Sequence, residues 1–585
     1  MKKIYLIYLV SSVCFLNRPC FGQNDVCTHL RILSSDSLEG RMPGTPGADM
    51  AAEYILKYFK STKLELLRDK GLQTFEVHTG FENGENNKMV FNGEEFLLNN
   101  DFLPFPYSHD TLINTGIVFA GYGLSVKFDS LVWDDYSGKD VKGKWVMVLR
   151  GSPDMKKHFD RFASFSGDRS KMLTAKDHGA AGIIFVNGTA YMKQDVLIGP
   201  ENEMNKNRNG IPTISVTRGA TNRILNTSKL SIEALEISAG KAELTGQIEI
   251  KKQLYVSVNL NEKKIKTSNV IGVLRSTVPT DEYLVIGAHY DHLGFGGPAT
   301  SSRKPDTTAV HNGADDNASG VACMMGLVSS LSKNKNLEKY NIIFIAFGAE
   351  EMGLLGSAWF LKHLPVGKKN IRLMLNFDMV GRLGTNKILS VGGTGTFADV
   401  EKILSACLDT NKIKLAFTKD GYGPSDHASF YSDSIPVLYF NTGVHADYHT
   451  PFDDYSKINC EGLETILSFT EKLILEINKE DYDLTYREAG LKTKGSERSS
   501  LKVTFGIMPD VANSDIKGVL VLAVNQDGPA YHAGIIKGDI ITAINGNPVT
   551  NIYDYMERLK MLSAGQAVNV DVMRNGEKEV LLVQL

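Results

Sequence analysis

The feature that most constrains this chain is an apolar, strand-like run with acidic residues at its end. The run 342–347 stops at a glycine and an alanine, and the adjacent acids Glu350 and Glu351 follow. A continuous apolar run of this length predicts a buried strand, and parallel α/β sheets bind ligands at the carboxyl ends of their strands. Two adjacent acids alone would usually be charged residues of a solvated loop, so residues elsewhere in the chain are needed to show whether this pair is functional.

The same arrangement recurs along the chain, with a histidine or carboxylate where a strand ends or a helix begins. Imidazole and carboxylate oxygens suit zinc or its first-row neighbours, whereas a structural zinc site more often uses cysteines. The sequence therefore predicts a catalytic metal site at one edge of a sheet. The further positions are His289 and Asp291 after the run 283–288, Asp315 and Asp316 before a helical pattern from Ala318, Asp378 after 371–377, and His449 after 436–441.

Strand-like and helical patterns alternate from residue 254 to 478. Such alternation favours an α/β fold with a mostly parallel mixed sheet sandwiched by helices. The segment 295–312, rich in Gly, Ser, Thr and Pro, is predicted to be a loop at the rim of the site.

Composition excludes several classes of protein. The 585 residues are 42% hydrophobic and 22% charged, which is typical of a globular chain with several domains. The formal net charge of −3 gives no electrostatic reason to expect nucleic acid or an anionic membrane as a partner.

The first 22 residues have the pattern of a signal peptide. Two lysines precede an apolar stretch at 4–16, and small residues occupy the positions that a signal peptidase recognises. We expect an exported protein, periplasmic or secreted, with no transmembrane segment. A disulfide is possible in that compartment, although the remaining cysteines, at 27, 323, 407 and 460, do not indicate a pairing.

Six segments together resemble the co-catalytic zinc aminopeptidases, the group that also contains glutamate carboxypeptidase and glutaminyl cyclase. The resemblance spans about residues 28–480 and implies the zinc aminopeptidase fold. The segments are GAHYDHLG at 287–294, GADDNASG at 313–320, AEEMGLLGS at 349–357, NFDM at 376–379, SDHASF at 425–430 and HTPFD at 449–453.

The resemblance implies two Zn²⁺ ions, with other first-row divalent metals also possible. Asp315 is the implied bridging ligand. His289 and Asp378 complete one metal, and Glu351 and His449 complete the other.

It also implies catalytic and supporting roles. Glu350 is the implied general base, and Asp291 the acid that orients His289. Tyr422 is our candidate to hydrogen-bond the oxyanion, although an aromatic residue packed beside the site is an equal alternative. Asp426 and His427 are expected to support the ligands without binding metal.

Two other regions resemble known domains. Short β-rich segments at 112–250 resemble a protease-associated (PA) domain inserted into the peptidase, which has parts at 23–111 and 251–480. After a polar linker at 481–500, residues 501–585 resemble a PDZ domain. That resemblance makes Phe505, Gly506 and Ile507 the loop that captures a peptide carboxylate, with a structural role as the alternative.

The sequence thus predicts an exported zinc aminopeptidase that removes N-terminal residues from peptides by means of a metal-bridged water and a Glu base. The alternatives are a related di-zinc carboxypeptidase or glutaminyl cyclase, which would share the metal ligands, and a non-catalytic binding scaffold. The scaffold would be expected to have lost ligands, and the sequence retains all of them.

Overall fold

The computed structural model describes residues 26–128, 131–199, 208, 210–241, 246–489, 503–510, 516–525 and 527–585. The predicted signal peptide and most of the predicted linker lie outside these residues. The α-helices are α1 (Val26–Leu33), α2 (Pro46–Ser61), α3 (Asp168–Asp177), α4 (Arg218–Leu225), α5 (Ile232–Gly240), α6 (Gly320–Leu331), α7 (Leu355–Lys362), α8 (Val400–Cys407), α9 (His427–Ser432), α10 (Cys460–Lys479), α11 (Pro529–His532) and α12 (Ile552–Lys560).

The strands fall into three main sheets and a separate β7–β8 pair. They are β1 (Glu65–Leu66), β2 (Leu72–Asn83), β3 (Lys88–Phe91), β4 (Glu94–Phe96), β5 (Phe102–Pro104), β6 (Thr111–Phe119), β7 (Ser125–Phe128), β8 (Leu131–Asp134), β9 (Trp145–Leu149), β10 (Gly182–Val186), β11 (Thr213–Val216), β12 (Ile248–Val258), β13 (Leu260–Leu274), β14 (Tyr283–His289), β15 (Asn341–Phe347), β16 (Ile371–Phe377), β17 (Ile388–Gly392), β18 (Lys414–Phe417), β19 (Val437–Asn441), β20 (Ile507–Pro509), β21 (Val519–Val524), β22 (Ile540–Ile544), β23 (Asn547–Pro548), β24 (Ala567–Arg574) and β25 (Glu577–Gln584).

The peptidase sheet has the order β1-β13-β15-β14-β16-β19-β17-β18, with β2 paired to β13. Its central strands β15, β14, β16 and β19 are mutually parallel, and β13 and β17 run antiparallel to their neighbours β15 and β19. The sheet is therefore mixed with a parallel centre, as predicted. Because the central strands are parallel and in register, their carboxyl ends meet at one edge.

Helices cover both faces of this sheet. Helices α1, α2, α6, α8 and α10 bury apolar side chains in a core on one face, while α7 and α9 contribute Phe360 and Phe430 to a core on the other. Strands β14 and β15 are buried along their whole length, and β16 at every residue except Arg372, which explains why their sequences are apolar runs without alternation.

The sheet that contains the predicted PA segments also includes strands from outside residues 112–250. It has the order β4-β3-β12-β6-β9-β10-β11-β5 and includes strands that start at Lys88, upstream of the predicted boundary at 112. Strand β3 pairs with β12, so residues far apart in sequence complete the sheet. The long antiparallel pair of β2 and β13 leads out of the peptidase sheet toward the insert.

The C-terminal sheet, β20-β21-β22-β24-β25 with β23 beside β22, forms the PDZ domain together with α11 and α12. Helix α12 contacts the inserted domain, where Arg558 forms a two-bonded ion pair with Asp177 at 2.6 and 3.0 Å. Ser170 donates a hydrogen bond to Glu557, and the Arg169 guanidinium lies over the rings of Tyr107 and Tyr553.

A disulfide joins Cys27 in α1 to Cys460 at the start of α10. The other two cysteines among the described residues, Cys323 and Cys407, are free and buried. No helix in the described part of the chain combines the length and apolar character needed to cross a bilayer.

Candidate metal centre

The predicted strand-end residues converge at the carboxyl edge of the peptidase sheet. His289 is the last residue of β14, Glu350 and Glu351 follow β15, and Asp378 follows β16. Parallel pairing places Ala288 beside Ala346 and Gly287 beside Asn376, which brings the three strand ends together.

One group of potential ligands surrounds His289. Its Nε2 lies 3.3 Å from Asp316 Oδ1, 3.6 Å from Asp378 Oδ1 and 3.8 Å from Glu350 Oε2. His289, Asp316 and Asp378 are all buried, and one atom from each could bind a common ion.

A second group surrounds Glu351. His449 Nε2 lies 3.1 Å from Asp316 Oδ2 and 3.3 Å from Glu351 Oε2. His292 Nδ1 lies 2.8 Å from Glu351 Oε1, and His292, Asp316 and Glu351 could also bind a common ion. Glu351 therefore has a different histidine at each carboxylate oxygen.

Asp316 belongs to both groups, which differs from the prediction for Asp315. The Oδ1 atom of Asp316 faces His289 and its Oδ2 atom faces His449. Asp315 faces the opposite side of the turn, where its Oδ1 accepts hydrogen bonds from Gly381 N and Ser319 Oγ and its Oδ2 lies 3.2 Å from His445 Nε2. Of the two adjacent acids, it is therefore Asp316 that lies between His289 and His449.

The local backbone explains this difference. Residues 314–319 form an irregular turn before α6, and Asp316 has a non-helical conformation with φ −104° and ψ 94°. Adjacent side chains in such a turn diverge, and no periodicity indicates which of them faces the strand ends. Asp453 Oδ2 accepts the backbone N–H groups of both acids, which anchors the turn.

Asp291 holds three residues of the site in place, namely Glu350, Glu351 and His289. Its carboxylate accepts the backbone N–H of Glu350 at 3.0 Å and of Glu351 at 3.2 Å. His289 Nδ1 lies 3.2 Å from the Asp291 carbonyl and 3.9 Å from its carboxylate. This fixes the orientation of two strand ends, and burial raises the pKa of Asp291 to about 6.

Arg41 ties the loops behind the site together. The fully buried guanidinium donates to the carbonyls of Tyr290 at 2.7 Å, Asn312 at 2.7 Å and Gly313 at 3.1 Å, and also to that of Leu33. It thus links the turn after His289 to the turn that carries Asp316.

The rim loop supports His449. Ser301 presents its carbonyl 3.1 Å from His449 Nδ1, and the backbone N–H of Arg303 donates to the His449 carbonyl at 2.9 Å. When Nδ1 carries the proton and donates to Ser301, Nε2 remains as the ligating nitrogen. The Tyr448 ring stacks on His449 at 3.8 Å, which places a phenol beside the second group.

The protonation behaviour of the cluster reflects an excess of buried negative charge. Burial alone would lower the pKa of His289, but the Glu350 and Asp378 carboxylates outweigh it and raise that pKa well above its usual value. In the same way, burial alone would lower the pKa of His449, but the Asp316 and Glu351 carboxylates outweigh burial and raise that pKa to about 10. Burial raises the pKa of Glu350 well above its usual value.

This charge balance provides a test of whether a metal fits. The carboxylates of the two groups and Glu350 share one buried space, and within the described part of the chain Asp378 Oδ1 and His292 Nε2 have no hydrogen-bond partner. Buried carboxylates need a cation or donors to balance them. A divalent cation held by His289, Asp316 and Asp378, or by His292, Asp316 and Glu351, would supply that balance, so these residues fit a metal ion.

The predicted supporting residues lie behind the cluster. Asp426 is fully buried, and burial raises its pKa to about 7. His427 stacks on Tyr439 at 4.2 Å, and burial lowers its pKa to about 3, which keeps the imidazole neutral. Neither residue belongs to the two ligand groups.

Tyr422 contacts the C-terminal domain and a neighbouring aromatic ring. Its hydroxyl donates to the carbonyl of Leu522 in the PDZ domain at 3.0 Å, and its ring packs edge-on against Tyr431. These contacts agree with the alternative of an aromatic packing role, and the role at the oxyanion stays a prediction. The neighbouring Asp420 accepts the Tyr422 backbone N–H at 2.8 Å.

The sequence analysis missed three residues beside the cluster: His292, Asp316 as a ligand, and Tyr448. His292 has a visible signal, because it lies three residues after His289 in the same motif. Tyr448 precedes His449 directly, but nothing in the pattern distinguishes it from any loop aromatic.

The predicted PDZ loop lies at the start of β20. Phe505 is fully buried and packs against Tyr555 of α12, and Gly506 has a φ of 74°. Ile507 is half-buried on the edge strand of the sheet.

Comparisons with family models agree with the sequence-based resemblance. Residues 269–474 match peptidase family M28, residues 113–224 match the PA domain and residues 491–585 match the PDZ domain. The matches confirm the predicted fold class and the predicted order of the three domains.

Similar proteins carry aminopeptidase names. The chain is 24% identical over 475 residues to aminopeptidase YwaD of Bacillus subtilis, a match that covers 79% of this chain and 87% of that protein. It is 27% identical over 241 residues to an aminopeptidase of Pseudomonas aeruginosa, covering 36% of this chain and 41% of that protein. Among solved structures, BSAP, a zinc aminopeptidase from Bacillus subtilis, aligns with a TM-score of 0.43 and 22% identity over 78% of this chain and 96% of that one.

Proposed function

We propose that this chain, which carries a domain of peptidase family M28 together with a PA domain and a PDZ domain, is an exported zinc aminopeptidase. The observation that supports it most is the position of Asp316, whose two carboxylate oxygens face His289 and His449 on opposite sides. A carboxylate placed in this way suits two Zn²⁺ ions. Names of the similar proteins agree with this activity.

The ligands divide into two sets around that carboxylate. His289 and Asp378 would hold one zinc with Asp316, and Glu351 and His449 would hold the other. When bound, such a pair of ions polarises the scissile carbonyl and lowers the pKa of water. Asp316 takes the bridging role that the sequence analysis gave to Asp315.

Glu350 is the proposed general base. It lies beside the cluster, 3.8 Å from His289, while its neighbour Glu351 contacts His292 and His449. Glu350 accepts a proton from the attacking water and delivers it to the nitrogen of the leaving amine, as the water oxygen bonds to the carbonyl carbon and the C–N bond breaks. The Asp291 carboxylate accepts a hydrogen bond from the backbone N–H of Glu350 and so keeps Glu350 in place.

The proposed location is outside the cytoplasm. The leader-like pattern at residues 1–22 supports export, and so does the disulfide between Cys27 and Cys460, because disulfides persist mainly in oxidising compartments. The PDZ loop at Phe505, Gly506 and Ile507 is proposed to capture the carboxyl end of a peptide.

The test is a panel of aminoacyl anilides, each with a free and an acetylated amine. We expect hydrolysis only of the free amines, loss of activity with a strong chelator, and recovery with zinc. Metal analysis should give two zinc ions per chain. Equal cleavage of acetylated substrates would rule out an aminopeptidase, and cleavage of carboxyl-terminal residues or cyclisation of N-terminal glutamine would favour the related enzymes.

A further inference from the structure

Strand β25 lies at one edge of the C-terminal sheet, and β20 lies at the other. All eight residues of β25 pair with β24 without a bulge, and no other strand in the described part of the chain pairs with it. A long, regular edge strand presents backbone groups to which another strand can add, and proteins usually protect such an edge with proline, charge or a bulge. Strand β25 contains neither a proline nor a bulge.

The hydrogen bonds of the sheet show which residues of β25 direct their backbone groups outward. Leu585 N donates to Gln566 O at 2.9 Å, so the backbone of Leu585 faces β24. Asn569, which lies opposite Leu582, instead accepts from Asn545 N on the far side of β24 at 2.7 Å. Backbone groups alternate in direction along an antiparallel strand, so every second residue of β25 faces away from the sheet. The outward residues are Lys578, Val580, Leu582 and Gln584.

Two of these outward positions carry exposed apolar side chains. Val580 is 58% exposed and Leu582 is 64% exposed. Both side chains lie on the same face, because alternate residues of a strand share a face. On β24 the residues opposite them are Asp571 and Asn569, which are polar. The exposed apolar surface of this face is therefore concentrated on the edge strand, where an added strand would cover it.

Strand β25 is complementary to a second copy of itself. Two copies that run antiparallel, with Leu581 on the two-fold axis, place each Val580 opposite Leu582 of the other copy. The same register places each Lys578 opposite Gln584 of the other copy. All four outward residues of both copies can then exchange backbone hydrogen bonds, and the apolar side chains form one patch across the axis. Sliding the strands by two residues in either direction leaves one of the four without a strand partner.

The charges beside this edge do not oppose the pairing. Lys578 Nζ lies 2.7 Å from an Asp571 carboxylate oxygen, and Arg574 lies 2.8 Å from Glu579. Each charge is therefore balanced within its own copy. Like charges directly opposite each other destabilise a strand pair, and the register with Leu581 on the axis brings none together. A second copy supplies this match by symmetry, whereas an unrelated strand would have to supply it by chance.

We propose that the chain forms a weak symmetric dimer in which β25 pairs antiparallel with β25 of a second copy. A single strand edge buries less than the roughly 1,200 Å² of a stable interface, so the dissociation constant should be on the order of 10 to 100 μM. The inference goes beyond the proposed peptidase function and does not depend on it.

Sedimentation equilibrium of the full chain is the first test. Over concentrations that span the expected dissociation constant, the mean mass should rise from that of one chain toward that of two. A mass that stays at the monomer value throughout would overturn the proposal.

A charge substitution tests whether the edge is the interface. Val580→Lys brings added ammonium groups close to each other across the axis and removes an apolar contact, so it should weaken the dimer at least about tenfold. The matched control is Val132→Lys, at a valine of β8 in the inserted domain that is 70% exposed, and it should leave the dimer unchanged. Thermal unfolding shows whether both variants keep the fold. If Val580→Lys folds and dimerises as the unaltered chain does, the proposal fails.

A disulfide tests the register. Leu581→Cys places two thiols on the axis, in a pair without hydrogen bonds, whose Cα atoms lie about 4.5 Å apart and so suit a disulfide. Gln584→Cys is the matched control, because its partner across the axis is Lys578 and not itself. Under mild oxidation we expect a covalent dimer from Leu581→Cys alone. Equal cross-linking of the two variants, or none from Leu581→Cys, would overturn the pairing.

The outcomes also separate the dimer from the peptidase function. Each variant should hydrolyse aminoacyl anilides as the unaltered chain does, because none of the changed residues lies at the metal centre. A chain that hydrolyses anilides but stays monomeric would refute only the dimer. A chain that dimerises without hydrolysis would refute only the aminopeptidase.

Discussion

Two buried clusters of charge in this molecule have opposite character. In the inserted domain, Lys171 donates to the carbonyls of Leu149 at 2.9 Å and Gly151 at 2.6 Å. Arg150 beside it pairs with Asp168 at 2.8 Å and donates to Asn187 at 3.0 Å. The cations of this cluster are satisfied by neighbouring oxygens.

At the peptidase sheet edge, in contrast, carboxylates and imidazoles converge on one another. Among the described residues, Asp378 Oδ1 and His292 Nε2 are left without hydrogen-bond partners. A protein tolerates such a group only when something else balances it. The difference teaches that buried charge alone does not mark a functional site, whereas convergent and incompletely paired charge does.

The strongest test of this comparison is the replacement of Asp316 with Asn. Because its two oxygens face both histidines, we expect zinc content to fall and activity to drop by about 10³-fold or more. Asp315→Asn is the matched control. It should lower activity by only roughly 10- to 100-fold, as is typical for a residue that supports a metal ligand. Greater zinc loss from the Asp315 variant would restore the sequence-based assignment.

The acid pair gives the next largest effect. Glu350→Gln keeps the shape but removes the proton acceptor, so kcat should fall by about 10²- to 10⁴-fold with zinc content unchanged. Glu351→Gln should instead lose zinc and recover part of its activity when zinc is added. The opposite pattern in metal analysis and steady-state kinetics would exchange the two roles.

His292 should have a smaller effect, through Glu351. Its Nδ1 lies 2.8 Å from Glu351 Oε1, so His292→Ala should weaken zinc binding by about 10- to 100-fold. The measurement is the rate of zinc loss to a chromogenic chelator. His292→Asn, which keeps a donor near that oxygen, should restore part of the retention, and equal rates for both variants would contradict the role.

For the cluster of Lys171 and Arg150 in the inserted domain, we expect only an effect of pH on stability. Burial lowers the pKa of Lys171 to about 7, while the unfolded chain keeps the ordinary value near 10.5. Between these values the unfolded state binds more protons, so stability rises with pH, by at most about 1.4 kcal/mol per pH unit. In denaturant titrations, Lys171→Met should reduce this rise of stability with pH. The control Lys142→Met, at an exposed position, should leave the rise unchanged.

The parts that the sequence could predict are those marked by continuous apolar runs. Strands 283–289, 341–347 and 371–377 are buried apolar runs. Because these strands are parallel, the polar residues at the end of each run lie at the same edge of the sheet. The pattern of apolar runs is therefore sufficient to predict that His289, Glu350, Glu351 and Asp378 share one site.

The parts that it missed depend on irregular or distant contacts. Asp315 and Asp316 are adjacent in a non-helical turn, where side-chain direction follows φ and ψ and not a repeat. The pairing of β3 with β12 joins residues about 160 positions apart, Phe91 with Leu254, so no local pattern indicates it. The Tyr422 hydroxyl contacts a different domain, which the residues around Tyr422 in the sequence do not indicate.

The disulfide between Cys27 and Cys460 turns most of the chain into a covalent ring. The ring encloses the whole inserted domain and both peptidase segments except for the rest of α10, and the PDZ domain lies outside it. A protease that cuts an exposed loop of the insert would therefore open the ring without releasing either piece, since the bond between α1 and α10 still joins them. A cut between α10 and β20 would leave no covalent link to the PDZ domain, which would then be held by noncovalent contacts such as the ion pair between Arg558 and Asp177.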